Sequence, residues 1–145
     1  MTVLVDANLL VYAVLPDAPQ HAPAREWLTA QLADADSSVG LAWATLYAFT
    51  RLISNRRVVG SSAVSVAAAW TAADAYRRQP AARIVDPGPI HAEIAASLMA
   101  TPGLTANDVP DVHLAALAIE YGLTLASHDA GFARFAGLRV TDPIR

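Results

Sequence analysis

The sequence contains no cysteine. Disulfides and thiolate metal sites are therefore excluded. It contains no lysine either, and all ten basic residues are arginines. A receiver-type signalling domain, which also pairs a parallel sheet with an acidic pocket, needs a lysine for its phosphoryl group and is set aside. Arginine is the better phosphate fork, but high genomic GC produces the same bias, so the arginines alone do not argue for RNA. Charge is sparse: 16% of residues are charged, against about a quarter in average domains. Long apolar runs are missing as well. Leu9–Leu15 falls far short of the roughly 20 residues that span a bilayer. The opening MTVLVDANLL has no basic segment before its apolar run, unlike a signal peptide. A cytoplasmic protein without membrane contact is expected by elimination. No Gly-rich phosphate loop and no nucleophile elbow occur.

What is abundant is apolar. Hydrophobic residues make up 54%, above the usual 45–50% or so. That argues against disorder and points to an apolar surface covered by another chain. The 145 residues match one ordinary domain, expected to span 1–145. A net charge of -3 neither advertises nor excludes a nucleic-acid partner. An acidic metal pocket on a mixed surface would give this balance.

Short apolar segments predict strands at Thr2–Val5, Ser37–Leu41, Arg83–Val85, Leu123–Ser127 and Leu138–Val140. Helices are predicted at Asn8–Val14, Pro23–Leu32, Trp43–Ser54, Ser62–Arg78, Ile90–Met99, Asp108–Tyr121 and Ala130–Phe135. Pro16 and Pro19 end the first helix, and Gly122 suits the position after the sixth. The alternation gives an α/β fold with a parallel sheet and helices on both faces. In such sheets ligands sit beyond the carboxyl ends of the strands.

That rule selects carboxylates. Asp6 directly follows the first strand, Asp129 follows the fourth, and Asp111 lies in the first turn of the sixth helix. All three can converge on one cleft. Two like charges at about 4 Å repel by about 4 kcal/mol at an effective dielectric of ~20. A protein that keeps them together shares a proton or holds a cation. Hard ions such as Mg²⁺ and Mn²⁺ suit an all-oxygen site. Blander roles stay open: Asp111 as a helix N-terminal charge, Asp108 as an N-cap, Asp129 as a turn residue. Asp6 is hardest to dismiss, because a carboxylate ending a buried strand is costly without a partner. The other aspartates (Asp17, Asp34, Asp36, Asp74, Asp86, Asp142) read mostly as solvated.

Weaker signals are set aside. Ser127-His128-Asp129 holds triad residue types, but strand neighbours point to opposite faces. His21, His91 and His113 read as surface or interface residues, and Trp27, Trp43 and Trp70 as core. Arg56-Arg57 fits a phosphate contact or a solvated helix end.

The opening VLVDANLLVYA resembles the start of a PIN domain: an apolar strand, an Asp, then Asn two residues on. The stretch DVHLAALAIEYGLTLASHDAGFARFAGLRVTDP resembles that family's C-terminal half through D-x-x-L-A-A-L-A and S-x-D-x-x-F. GLAWATLYAFTRLISNRRV is similar to the matching stretch of VapC-type toxins of toxin–antitoxin systems. The resemblance implies a three-layer α/β/α sandwich with a short-stranded, mostly parallel sheet. It implies a homodimer, a VapB-type antitoxin partner, and Mg²⁺- or Mn²⁺-dependent RNA cleavage. Asp6, Asp111 and Asp129 would be the metal ligands, with Asn8 and Ser127 orienting ligands or water around them. One departure matters: such nucleases usually carry Glu just before the Phe that is Phe49 here, and this chain has Ala48. Asp108, one turn before Asp111, is the expected substitute in the catalytic set. The alternative is a catalytically impaired PIN fold that binds RNA or protein.

Overall fold

The computed structural model describes residues 2–145. The strands are β1 (Thr2–Val5), β2 (Ser38–Leu41), β3 (Ala82–Ile84), β4 (Thr124–Ala126) and β5 (Arg139–Thr141). The helices are α1 (Ala7–Val14), α2 (His21–Ala33), α3 (Trp43–Ile53), α4 (Arg56–Val59), α5 (Val66–Arg77), α6 (His91–Met99) and α7 (Val109–Tyr121). The strands form one sheet in the order β3-β2-β1-β4-β5, every pairing parallel.

Side-chain alternation along β1 builds a core on each face. Val3 and Val5 pack with Leu9, Leu10, Leu28, Leu46 and Phe49, so α1, α2, α3 and α5 cover one side. Leu4 faces the other way and joins Leu98, Leu117, Leu125 and Phe132, covered by α6 and α7. The three layers expected from the resemblance are present.

The chain lays down β1, β2 and β3 outward in one direction, then returns to β4 on the opposite side of β1. The carboxyl ends of β1 and β4 thus flank the topological switch point, where an open parallel sheet leaves a crevice.

Several boundaries differ from the sequence reading for local reasons. The Ala-rich helix begins at Val66, because the Ser65 hydroxyl accepts from the Ala68 amide at 3.1 Å and caps it there. Residues Gly60–Ser62 form a 3-10 turn instead. Asn55 caps a one-turn helix, α4, through the Arg57 amide. The expected last helix is a 3-10 turn, Ala130–Arg134. Gly122 ends α7 at φ 64, a left-handed position that glycine takes without strain. Trp27 and Trp70 pack against the core, but Trp43 is exposed, because α3 turns that face away from the sheet.

Candidate active site

Asp6 leaves β1 in an extended conformation, φ -77 and ψ 151, and caps α1. Its Oδ1 accepts from the Ala7 amide at 2.7 Å. Its own amide donates to Ala126 O at 2.9 Å, which ties the end of β1 to the end of β4. Ser127 follows β4, so β1–β4 pairing brings it against Asp6. The Ser127 hydroxyl donates to Asp6 Oδ2 at 2.8 Å. It accepts from the Asp129 amide at 3.0 Å and from Asn8 Nδ2 at 3.4 Å. One donor and two acceptor sites exhaust a hydroxyl. This buried serine thus joins Asp6, Asn8 and Asp129 in one network.

Asp129 Oδ1 accepts from the Gly131 amide at 2.8 Å, shaping the 3-10 turn that follows. That turn delivers Arg134, whose Nη2 lies 3.1 Å from Asp108 Oδ1 and 3.4 Å from Asp111 Oδ2. Asp108 is otherwise engaged: its Oδ2 accepts from the amide and hydroxyl of Thr105 at 2.8 and 3.2 Å in a capping box. The expected substitute for the absent glutamate therefore stands outside the cleft. It reaches the site through its ion pair with Arg134 and through its charge, which adds to the rise of the Asp111 pKa.

Asp6, Asn8, Thr45, Ala48, Asp111 and Asp129 line a cleft of about 280 Å³. That is room for several waters at about 30 Å³ each, or a hydrated ion and a phosphate. Two buried oxygens in its wall, Asn8 Oδ1 and Thr45 Oγ1, have no hydrogen-bond partner. Ala48 sits one turn after Thr45 and leaves the space a longer side chain would fill.

Asp6 and Asp111 are held against their preference for ionisation. Burial pushes Asp6 above the usual carboxylate range, the Ser127 and Ala7 bonds pull it back, and the Asp129 charge raises it again. Asp111 is pushed up to about 6, first by burial, then by the charges of Asp6 and Asp129, with Arg134 opposing. Asp108 lies below its ordinary value because of the Thr105 amide and Arg134.

A carboxyl with a raised folded-state pKa binds its proton more tightly folded than unfolded. Stability contributed this way is present at low pH and is lost as pH rises from about 4 to about 6. Asp111→Asn should therefore stabilise the chelator-treated protein near pH 7.5 and lose that advantage near pH 4. A two-unit rise corresponds to about 3 kcal/mol. With the carboxylate 28% exposed, solvent screening leaves an expected gain of about 1 kcal/mol. Thermal melts in chelator at both pH values check this. An Asp111→Asn protein that melts lower than the parent at pH 7.5 refutes it.

Among the described residues, no group of three His, Cys, Asp or Glu side chains forms a preassembled metal cage. The acids border the cleft rather than closing over a point. The donor set is all oxygen, neutral and anionic, and two of its oxygens lack partners. That fits Mg²⁺ or Mn²⁺, which keep water and substrate phosphate in their shells.

The triad reading fails sterically as expected. His128 turns to Asp142, with Nδ1 2.9 Å from Oδ2, and packs edge-on against Tyr12. Asp142, read as solvated, is instead largely covered, its side chain 19% exposed. His91 and His113 meet edge to face. Arg56 and Arg57 are exposed. Sequence reading missed Arg134 and Thr45. Each lies close to an identified position, but neither belongs to an acid pattern.

The PIN-domain family matches residues 3–138. The chain is 40% identical to Ribonuclease VapC37 of Mycobacterium tuberculosis, covering 97% of this chain and 96% of that protein. It is 35% identical to Ribonuclease VapC33 of the same organism, covering 99% of each. In fold it is similar to VapBC-1 from nontypeable Haemophilus influenzae, with TM-score 0.69 at 15% identity over 100% of each chain. It is also similar to VapBC2 from Rickettsia felis, with TM-score 0.65 at 16% identity over 97% of this chain and 98% of that one. On the family match and these near-full-length relatives, this chain belongs to the PIN-domain family.

Proposed function

We propose that this protein is an endoribonuclease, one domain acting with Mg²⁺ or Mn²⁺, and the toxin of a VapBC-type toxin–antitoxin pair. One observation carries the reading. Three carboxylates from the two ends of the chain, Asp6, Asp111 and Asp129, border one cleft at the switch point beside two unpartnered oxygens. The relatives named as ribonucleases give the chemistry its class.

Asp6, Asp111 and Asp129 would hold the cation, with Asn8 beside them. When bound, the ion lowers the pKa of water and stabilises charge gathering at phosphorus. The chain's own residues do the positioning. Ser127 donates to Asp6 and so favours its ionised form. Asn8 and Asp129 are fixed through the same hydroxyl. Arg134 is the cation among these acids and is placed to exchange Asp111 for a phosphate oxygen when RNA enters. Asp108 holds Arg134 in place. On α3, exposed Trp43, Tyr47 and Arg51 form a ridge at four-residue spacing beside the cleft stripe of Ala44, Ala48 and Leu52. Aromatic and basic side chains in that order suit unstacked bases of a single strand.

RNA as substrate puts the protein in the cytoplasm. No helix among the described residues is long and apolar enough to cross a membrane. Exposed Ile90, Met99, Val109 and Tyr121 near α6 and α7, and Val58, Val64 and Val66 near α4 and α5, offer apolar area. A second copy and an antitoxin segment would cover it.

The test is direct. Purified protein with single-stranded RNA and Mn²⁺ should give internal cuts bearing 5′-phosphate and 3′-hydroxyl ends, and chelator should stop them. Cutting that persists in chelator overturns the metal-dependent reading. The absence of cutting beside retained RNA binding favours the impaired module that Ala48 raises.

A further inference from the structure

The middle helix lacks the acid expected of it, yet the cleft wall at that place is not featureless. Thr45 lies on α3 one turn before Ala48, and both line the cleft. Thr45 is 2% exposed, and its Oγ1 has no hydrogen-bond partner. A helical threonine ordinarily returns its hydroxyl to the carbonyl four residues back. Thr50 on the same helix does so, donating to Leu46 O at 2.8 Å. Thr45 has no helical carbonyl in that position. Its residue four back is Leu41, at the end of β2, and Leu41 O accepts the Val85 amide at 3.0 Å. The other orphaned oxygen in the same cleft, Asn8 Oδ1, is oriented by its own amide, since Nδ2 donates to Ser127.

A buried hydroxyl without a partner is costly. Thr45 Oγ1, a hydroxyl, and Asn8 Oδ1, an amide oxygen that can only accept, are both buried without a partner on residues that line one acidic cleft. A third occupant with a demand for oxygen satisfies both. We infer that Thr45 Oγ1, together with Asn8 Oδ1, supplies the oxygen face of the cation site that a glutamate at position 48 would otherwise supply. Threonine and serine hydroxyls serve Mg²⁺ in this way in phosphate-binding loops. The site then carries three carboxylates and two neutral oxygens instead of four carboxylates. Its lower charge holds the ion less tightly when RNA phosphate is absent. This inference rests on the cation-site reading above.

The experiment measures Mn²⁺ affinity of the folded protein without RNA, by electron paramagnetic resonance of free Mn²⁺. It compares the parent with Thr45→Val, Thr45→Ser and Asp6→Asn, and adds thermal melts in chelator. Thr45→Val keeps the shape and removes the oxygen. It should weaken Mn²⁺ about tenfold or more, while Thr45→Ser stays near the parent. Its melting temperature in chelator should be equal or higher, since an orphaned hydroxyl is removed. Parent-like Mn²⁺ affinity in Thr45→Val overturns the inference, and so does equal weakening in Thr45→Ser. A lower melting temperature for Thr45→Val in chelator also overturns it, because the hydroxyl then has a structural partner. If Asp6→Asn binds Mn²⁺ as tightly as the parent, the cation site itself is wrong, a failure distinct from that of Thr45.

Discussion

Asp6→Asn is expected to slow RNA cleavage about a thousandfold and to leave the fold in place. The loss follows from position. Among the described residues, Asp6 is the carboxylate of the cleft fixed from both sides, by Ala7 at its Oδ1 and by Ser127 at its Oδ2. Losing one preorganised electrostatic group typically costs a hundred- to a thousandfold in rate. Here the lost group is a proposed ligand as well as the anchor of the network. The fold survives because asparagine caps helices about as well as aspartate, so the start of α1 is kept. One amide oxygen cannot serve both Ala7 and Ser127 as two carboxylate oxygens do, which costs about 1 kcal/mol. Relief of a buried charge that Asp129 repels offsets this. The checks are cleavage rates under single-turnover conditions and a melt within a few degrees of the parent. An Asp6→Asn protein that cuts at the parent rate removes the site from consideration.

How the sequence could show Asp6 but not Arg134 has a physical reason. Strand ends and helix starts are set by local signals: β-branched runs, caps, Gly122 after α7. The switch-point rule then locates anything that follows β1 or β4. The positions of Asp6, Asp111 and Asp129 at strand ends and a helix start follow on that basis, and so does the element order, whereas Asn8 and Ser127 enter only through the family resemblance. Arg134 reaches Asp111 only because residues 130–134 form a tight 3-10 turn, not a helix, and dock near α7. No periodicity encodes that docking. Asp108 lies off the cleft lining for a related reason. Residues 105–108 close a capping box before α7 begins, so the carboxylate turns back on Thr105 and does not follow Asp111 into the cleft. Thr45 was invisible because its oxygen matters for what it lacks, and an unmade hydrogen bond leaves no trace in a one-dimensional pattern. Trp43 reads as core by its type, and only the facing of α3 exposes it.

Ser127→Ala should lower cleavage about a hundredfold, more than a substitution that touches no proposed ligand would usually do. The serine contacts no proposed substrate atom. Its hydroxyl is the shared partner of Asp6, Asp129 and Asn8. Alanine leaves the Asp129 amide and the Asn8 amide without an acceptor and the Asp6 carboxylate without a donor. Orphaned buried groups cost about 1–3 kcal/mol each, and relaxation toward the cleft water recovers part, so a stability loss of about 2 kcal/mol is expected. Residues that orient ligands are typically worth ten- to a hundredfold in metal affinity or activity. A structural serine and a positioning serine differ in pH dependence. The Ser127 bond lowers the pKa of Asp6 against burial, so its loss raises that pKa further. The ionised fraction of Asp6 then recovers only as pH rises, and the deficit of Ser127→Ala should shrink toward alkaline pH in a single-turnover profile. A deficit constant across the whole pH range would assign Ser127 to stability alone and leave the ionisation of Asp6 to the cation.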